Sequence, residues 1–169
     1  MRRVVFRILF ICVVEGKGGG VMLESGHSRA ATRDDLLRIK SFLRENGLPE
    51  VGVDGCVEDF VIAENETGIW IGVAGAEFYA ESGLLRSVAV DKQFRGRGQG
   101  RVLVNAVLER ARDKGIKTVY LLTDDADNYF KRLGFEIIDR NDVDDVVKTS
   151  LEFTEACPES ALVMRRAIG

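Results

Sequence analysis

The residues of this 169-residue chain best suited to chemistry gather in one stretch, Val88-Ala89-Val90-Asp91-Lys92-Gln93-Phe94-Arg95-Gly96-Arg97-Gly98-Gln99-Gly100-Arg101. An apolar strand ends there, a short loop follows, and a glycine-rich turn opens an amphipathic helix. Gly96, Gly98 and Gly100 let the backbone approach an anion closely, and the first free N–H groups of the helix point at it with the positive end of the dipole. Arg95, Arg97 and Arg101 add fixed charge, and the combination suits a pyrophosphate. The pattern is not a Walker loop, because no Gly-Lys-Ser/Thr follows. It is not GxGxxG either, because Arg101 stands where no third spaced glycine does. An ordinary turn with a solvated arginine cluster is the competing reading, and the placement between strand and helix favours the anion site. Other engines lack raw material: His27 is the only histidine, which removes a zinc site and a Ser-His or Cys-His pair.

Such a turn needs a strand before it and a helix after it, and the hydrophobic pattern supplies both. Ser28–Ala31 reads as a first strand. Thr32 caps a helix whose stripe is Leu36, Leu37, Ile39, Phe42 and Leu43, stopped by Asn46-Gly47-Leu48-Pro49. A weakly helical stretch near Cys56–Asp59 precedes three strands, Phe60–Ala63, Ile69–Ala80 and Leu84–Val90, with turns at Gly68 and Glu81-Ser82-Gly83. The helix after the glycines runs to about Lys114 on the face Val102, Leu103, Ala106, Val107 and Ala111, and Gly115 ends it. Then come a buried-type strand Val119–Leu122, a short helix Asp125–Leu133, a strand Phe135–Ile138, a helix Asp142–Phe153 and a last strand Ser160–Ile168. The order is an α/β mixture in one domain with three consecutive strands at its centre.

Composition bounds the partners. Hydrophobic residues make up 46% of the chain, enough to fill a core, and 24 Lys+Arg against 27 Asp+Glu give a net charge of −3. That balance argues against coating nucleic acid by bulk charge. The charge is unevenly placed: from Lys92 to Lys114 bases outnumber acids seven to two, and from Thr123 to Ser160 acids outnumber bases eleven to four. Three scattered cysteines, Cys12, Cys56 and Cys157, without a CxxC pair suggest reduced thiols and a cytoplasmic setting. The apolar run in residues 1–14 is interrupted by Arg7 and falls short of the roughly 20 residues that a spanning helix needs. Residues 1–26 are read as an N-terminal extension or a mis-called start, since Met22 lies just before the domain, which spans 27–169.

Leu84-Leu85-Arg86-Ser87-Val88-Ala89-Val90-Asp91, then Arg95–Gly100, then Tyr129-Phe130-Lys131-Arg132-Leu133-Gly134-Phe135 resemble the core of the GNAT N-acetyltransferases, over essentially Ser28 to the C-terminus. Gly47-Leu48-Pro49, Gly72–Glu77, Leu84–Val90 and Glu152-Phe153…Cys157-Pro158-Glu159-Ser160-Ala161…Met164 are most similar to the acetyltransferases of arsenic-resistance operons. Those in turn resemble the acetyltransferase domains that make N-acetylglutamate. The resemblance implies a three-layer α+β fold: a central mixed, largely antiparallel sheet, splayed in the middle and flanked by helices. It implies acetyl-CoA as co-substrate, no metal, and transfer of acetyl to a primary amine of a small molecule such as an amino acid. A protein or peptide acceptor, or a non-catalytic acetyl-CoA sensor, are the alternatives. Family members are often homodimers; no nucleic-acid or membrane partner is implied.

On this resemblance acetyl-CoA lies between the Leu84–Val90 and Val119–Leu122 strands. Backbone groups of Val88, Ala89 and Val90 pair with pantetheine, and the Val88 N–H polarises the thioester carbonyl. The N–H groups of Arg95, Gly96, Arg97, Gly98, Gln99 and Gly100 hold the pyrophosphate, with Arg101 just beyond. The family's frequent proton-donating Tyr is Phe130 here. Tyr129, one residue earlier, is rotated by about 100° on a helix and serves only if that helix is turned. The family's frequent Asn is Thr123. Direct transfer with solvent protonating the thiolate is then the simpler scheme. Glu77, in an otherwise apolar strand, is either the base for the amine or an outward-facing strand glutamate. Arg86 shares the parity of Val88 and Val90, so it is either a carboxylate clamp in the cleft, assisted by Ser87, or a surface arginine paired with an acid such as Glu81.

Overall fold

Runs of β-branched and aromatic residues punctuated by Gly and Asn dictate most of the architecture. The computed structural model describes residues 26–169; Cys12, Met22 and the proposed extension lie outside them, apart from Gly26. Seven strands form one sheet in the order β1-β2-β3-β4-β5-β7-β6: β1 (Gly26–Ala30), β2 (Val61–Asn65), β3 (Trp70–Tyr79), β4 (Ser82–Val90), β5 (Thr118–Thr123), β6 (Glu136–Ile138) and β7 (Leu162–Ala167). All neighbours are antiparallel except β4 and β5, which run parallel. The mixed, largely antiparallel sheet matches the expected fold class.

Five α-helices flank it: α1 (Leu36–Glu45), α2 (Val53–Cys56), α3 (Gln99–Asp113), α4 (Asp127–Arg132) and α5 (Asp145–Lys148). On one face, Leu103, Val104, Val107, Leu108 and Ala111 of α3 pack with Phe130 and Leu133 against Leu85, Val90, Val119 and Leu121. On the other, Ile39, Phe42 and Leu43 of α1 meet Val53, Phe60, Trp70 and Val73, while Val147 of α5 joins Leu84, Tyr120 and Phe153. Three layers result.

Several expected details shift. Leu37 is 81% exposed and Val102 45% exposed, so neither belongs to its helix's buried stripe; at 100° per residue the stripes centre on Ile39–Leu43 and on Leu103–Val107 instead. The β3–β4 turn is Ala80-Glu81, since Tyr79 pairs with Ser82, and Ala80 takes φ 48°. The single helix expected over Asp142–Phe153 is broken. Val143 is extended, α5 ends at Lys148, and a π-helical turn covers Glu152–Ala156. The Ser150 side chain accepts from the Phe153 N–H, offering the backbone a turn in place of a continued helix.

The detail that matters most lies in β4. Gly75 pairs with Arg86 but Val73 pairs with Ala89, so β4 carries one more residue than β3 over this span, and Ser87 sits at φ 55°. This β-bulge shifts the alternation by one. Leu85 before it and Val88 and Val90 after it pack on the α3 face, while Arg86 and Ala89 take the other. The shared parity of Arg86 with Val88 and Val90 therefore does not hold.

Candidate active site

Where β4 and β5 meet they pair only at Ser82↔Thr118, Gly83↔Val119 and Leu84↔Tyr120. Beyond Leu84 the two strands part, β4 running on to Val90 and β5 to Thr123. The backbone groups that β4 turns toward β5 from here on have no strand partner among the described residues. Unpaired strand groups can take up an extended, amide-bearing chain as a strand-like partner. The opening encloses about 60 Å³ and is lined by Leu85–Val88, Leu121–Thr123, Phe130, Leu48, Pro49 and Glu152. A larger concavity of about 390 Å³, lined by Gly52, Cys56, Glu77, Tyr79 and Ser150, lies behind the Arg86–Glu77 contact. It does not reach the parted strand edges, so the narrower opening, which does, is the better reaction site.

The glycine turn stands at the end of β4. Gly96 and Gly98 take φ 76° and 78°, a left-handed conformation that glycine adopts without strain. Gly98 caps α3, and no side chain satisfies the first amides of the helix. A Cβ at Gly98 would meet nothing within 4 Å, so the turn is open at that residue. Arg97 and Arg101 are exposed. The Arg95 guanidinium turns back instead, donating to Val90 O at 2.8 Å and Asn46 Oδ1 at 2.9 Å, so its side chain secures the turn to β4 and α1.

Phe130 lines the opening, and Tyr129 does not. The Tyr129 hydroxyl is buried without a hydrogen-bond partner, and burial pushes its pKa up to about 12 against the opposing charges of Arg132 and Arg101. Thr123 is buried and its hydroxyl accepts from the Ala126 N–H, shaping the entry to α4.

Arg86 is buried, not on the surface, and Glu81 pairs with Lys117 instead. Its Nε donates to Ser87 Oγ at 3.3 Å, Nη1 to Glu77, and Nη2 to Val51 O at 2.5 Å, with Glu152 Oε2 2.8 Å from Nη2. The second oxygen of Glu77 accepts from the Tyr79 hydroxyl, so both its oxygens are engaged. Gly52 (φ 80°) makes room for the guanidinium, for a Cβ there would meet Nη1 at 2.7 Å. The structure thus joins Glu77, Arg86 and Ser87 in one network, and adds Glu152 and Val51, which the sequence reading did not assign to the site. Glu152 lay in a segment expected to be plain helix. Its signal in the sequence is its place in the Glu152-Phe153…Cys157-Pro158 stretch of the resemblance, and the Cys157 thiol donates to its Oε1 at 3.6 Å. Burial holds the Glu152 pKa above the usual carboxylate range, against the pull of Arg86. Cys56 is raised to about 12 by burial, that of an inert thiol.

The sheet is open and parted between two parallel strands, with a glycine turn and a helix N-terminus following β4, and comparison with known proteins shows which folds share this arrangement. Residues 57–137 match the family model described as an acetyltransferase (GNAT) domain. Over that stretch, just under half of the chain, the sequence is similar to this acetyltransferase family. An amino-acid acetyltransferase of Pseudomonas putida is 33% identical over 135 residues, covering 70% of this chain and 30% of that protein. One from Aeromonas salmonicida is 28% identical over 139 residues, covering 76% and 31%. This chain thus spans about three-tenths of the length of these relatives. Among solved structures, N-acetylglutamate synthase from Neisseria gonorrhoeae, complexed with coenzyme A and N-acetyl-glutamate, superposes with a TM-score of 0.73 at 19% identity, covering 86% of this chain and 35% of that one. A Mycobacterium tuberculosis protein in complex with CoA gives 0.70 at 24% identity, covering 83% and 98%. At these identities the likeness establishes the fold.

Proposed function

We propose that the protein transfers acetyl from acetyl-CoA to the primary amine of a small, amino-acid-like molecule. The observation that carries this reading is the parting of β4 and β5 after Leu84↔Tyr120, with the glycine turn at its lip. Pantetheine pairs with the free edge of β4 at Val88, Ala89 and Val90, and the N–H groups of Arg95–Gly100 hold the pyrophosphate beside Arg101. The Val88 N–H steadies the oxyanion that forms when the amine attacks. With Phe130 at the wall and Tyr129 turned away, the leaving thiolate takes its proton from solvent. The relatives named amino-acid acetyltransferases, and the neighbour solved with N-acetyl-glutamate, support an amino-acid acceptor. Arg86 offers its carboxylate a guanidinium, with Ser87 beside it. A cytoplasmic setting, a homodimer and the narrower kinship with arsenic-resistance acetyltransferases belong to the same proposal.

The test is release of free CoA thiol from acetyl-CoA across the common amino acids, phosphinate and arsinate amino-acid analogues, polyamines and short peptides, with thermal shift against CoA alongside. Stabilisation by CoA and turnover confined to amino acids or their analogues is the expected result. A thermal shift without turnover on any acceptor would favour a sensor, and no shift at saturating CoA would reject the donor site.

A further inference from the structure

Two carboxylates, Glu77 and Glu152, share the one buried guanidinium of Arg86. One positive charge cannot neutralise both, and a surplus negative charge stays inside the molecule unless a proton or an incoming cation meets it. The two acids are held differently. Glu77 has a donor on each oxygen, Arg86 and Tyr79, and lies toward the side concavity. Glu152 lines the parted strands, and its residue is 8% exposed. Its Oε1 has only the long thiol contact from Cys157. Its Oε2 stands 2.8 Å from Arg86 Nη2 yet accepts no hydrogen bond. Leu48, Pro49 and Phe130 supply apolar wall to the same opening, which Asp125 also lines. The carboxylate with the least satisfied oxygen of the network thus belongs to a residue that lines the opening where an acceptor must stand.

We propose that Glu152 receives the ammonium group of the acceptor and takes its proton, so that an amino acid binds as a zwitterion, its carboxylate on Arg86 and its ammonium on Glu152. The idea rests on the acetyl-transfer reading. The internal Arg86–Glu152 pair opens, and each partner meets the opposite charge of the substrate, so one ion pair becomes two. The ammonium then gives one proton to the Glu152 carboxylate, leaving a neutral amine and a carboxylic acid. The amine nitrogen attacks the thioester carbonyl carbon, forming the C–N bond while the carbonyl electron pair moves to oxygen. The pair returns as the C–S bond breaks, and the thiolate leaves. One of the two protons then on nitrogen passes through solvent to the thiolate, the amide keeps the other, and Glu152 returns its own to water. Glu77 is a positioning residue that holds Arg86 in place. The charged and titratable groups acting on Glu152 are Arg86 from β4, Cys157 from the chain after the π-helical turn and Glu77 from β3, and Asp125, between β5 and α4, lines the same opening.

The test compares the full-length wild type with Glu152→Gln and Glu152→Asp on the amino acid that gives the fastest thiol release among the twenty common ones, between pH 6.5 and 9.5. General-base assistance contributes about 10²–10⁴-fold. Glu152→Gln should therefore lose about 100-fold or more in kcat/KM at pH 7. That deficit should shrink toward tenfold at pH 9.5, where the free amine supplies itself, while CoA-induced thermal stabilisation stays within about a degree of wild type. Glu152→Asp should recover part of the loss. Should Glu152→Gln fail to fold, isotope-edited infrared spectroscopy of the wild type, with Glu152→Asp to assign the band, should show a protonated carboxyl disappearing over the pH range in which kcat/KM rises. A deficit that stays constant across the pH range, activity within threefold of wild type at pH 7, or a carboxyl band that does not titrate there would each overturn the proposal. A wild type silent on all twenty amino acids, with CoA binding intact, would remove the amino-acid reading itself and the zwitterion with it.

Discussion

Arg86 shows how far a residue's type can be trusted without its surroundings. An arginine near the parting of two strands is legible in the sequence as a candidate clamp, and it does line the opening. Its partners were not legible, because Glu77, Glu152 and Val51 lie 9, 66 and 35 positions away and only folding brings them together. Glu152 carries a stability prediction of its own. Its native pKa is raised by burial, so between the unfolded value of about 4.3 and the native one the folded state binds more protons than the unfolded state. Stability from this group is thus fully present below about pH 4.3 and is lost as pH rises through the native pKa. Glu152→Gln cannot titrate, so the melting temperature of wild type minus variant should fall as pH climbs from about 4 to 8. A difference that is flat over that range would show that burial of this carboxyl has no linked cost.

Among the elements, β4 decides the chemistry because it changes phase midway. Its existence, its apolar run and the helix behind it follow from hydrophobic pattern, as do β2, β3, β5 and β7. The bulge does not. Ser87 is an unremarkable residue at a left-handed φ, and nothing in Leu84–Val90 announces an extra position. Parity reasoning across it consequently put Arg86 on the wrong face. The π-helical turn is illegible for a related reason, since the competing hydrogen bond that the Ser150 side chain accepts from the Phe153 N–H leaves no mark on periodicity. Close approach of β3 to β4 after the bulge depends on Gly72, where a Cβ would meet Ala89 O at 2.5 Å and Leu103 Cδ1 at 2.8 Å. Because the nearest obstacle is backbone, Gly72→Ala should destabilise the fold by about 1–3 kcal/mol and weaken CoA binding through the displaced Ala89 segment. Urea unfolding and calorimetry with CoA would measure the two effects, and an unchanged midpoint would show that β4 yields freely.

The molecule as a whole joins two sheet segments, β1-β2-β3-β4 and β5-β7-β6, by three residue pairs and by helices that pack across both. Its charge is unevenly placed. The base-rich stretch lies on α3 and its leading turn, and the acid-rich stretch runs from the end of β5 toward β7. Local counting of charge made that asymmetry visible in advance, whereas the net value of −3 concealed it. A ligand seated between the segments should slow amide hydrogen exchange in β5 and in β4 beyond Leu84, on both sides of the opening, leaving the β1–β2 edge unchanged. Protection confined to the glycine turn would mean that CoA is held by its phosphates alone.

The three-pair junction of β4 with β5 also has a mechanical meaning. A sheet usually resists shear through its full ladder of hydrogen bonds, but here the seam is fastened at one end and unlaced at the other. It works like a pair of tongs whose pivot is Ser82–Leu84 and whose jaws are the ends of the two strands. An extended ligand laid in the jaws supplies the missing rungs. On the proposed seating the donor is a removable strand, and the molecule is mechanically a whole sheet only while it holds one.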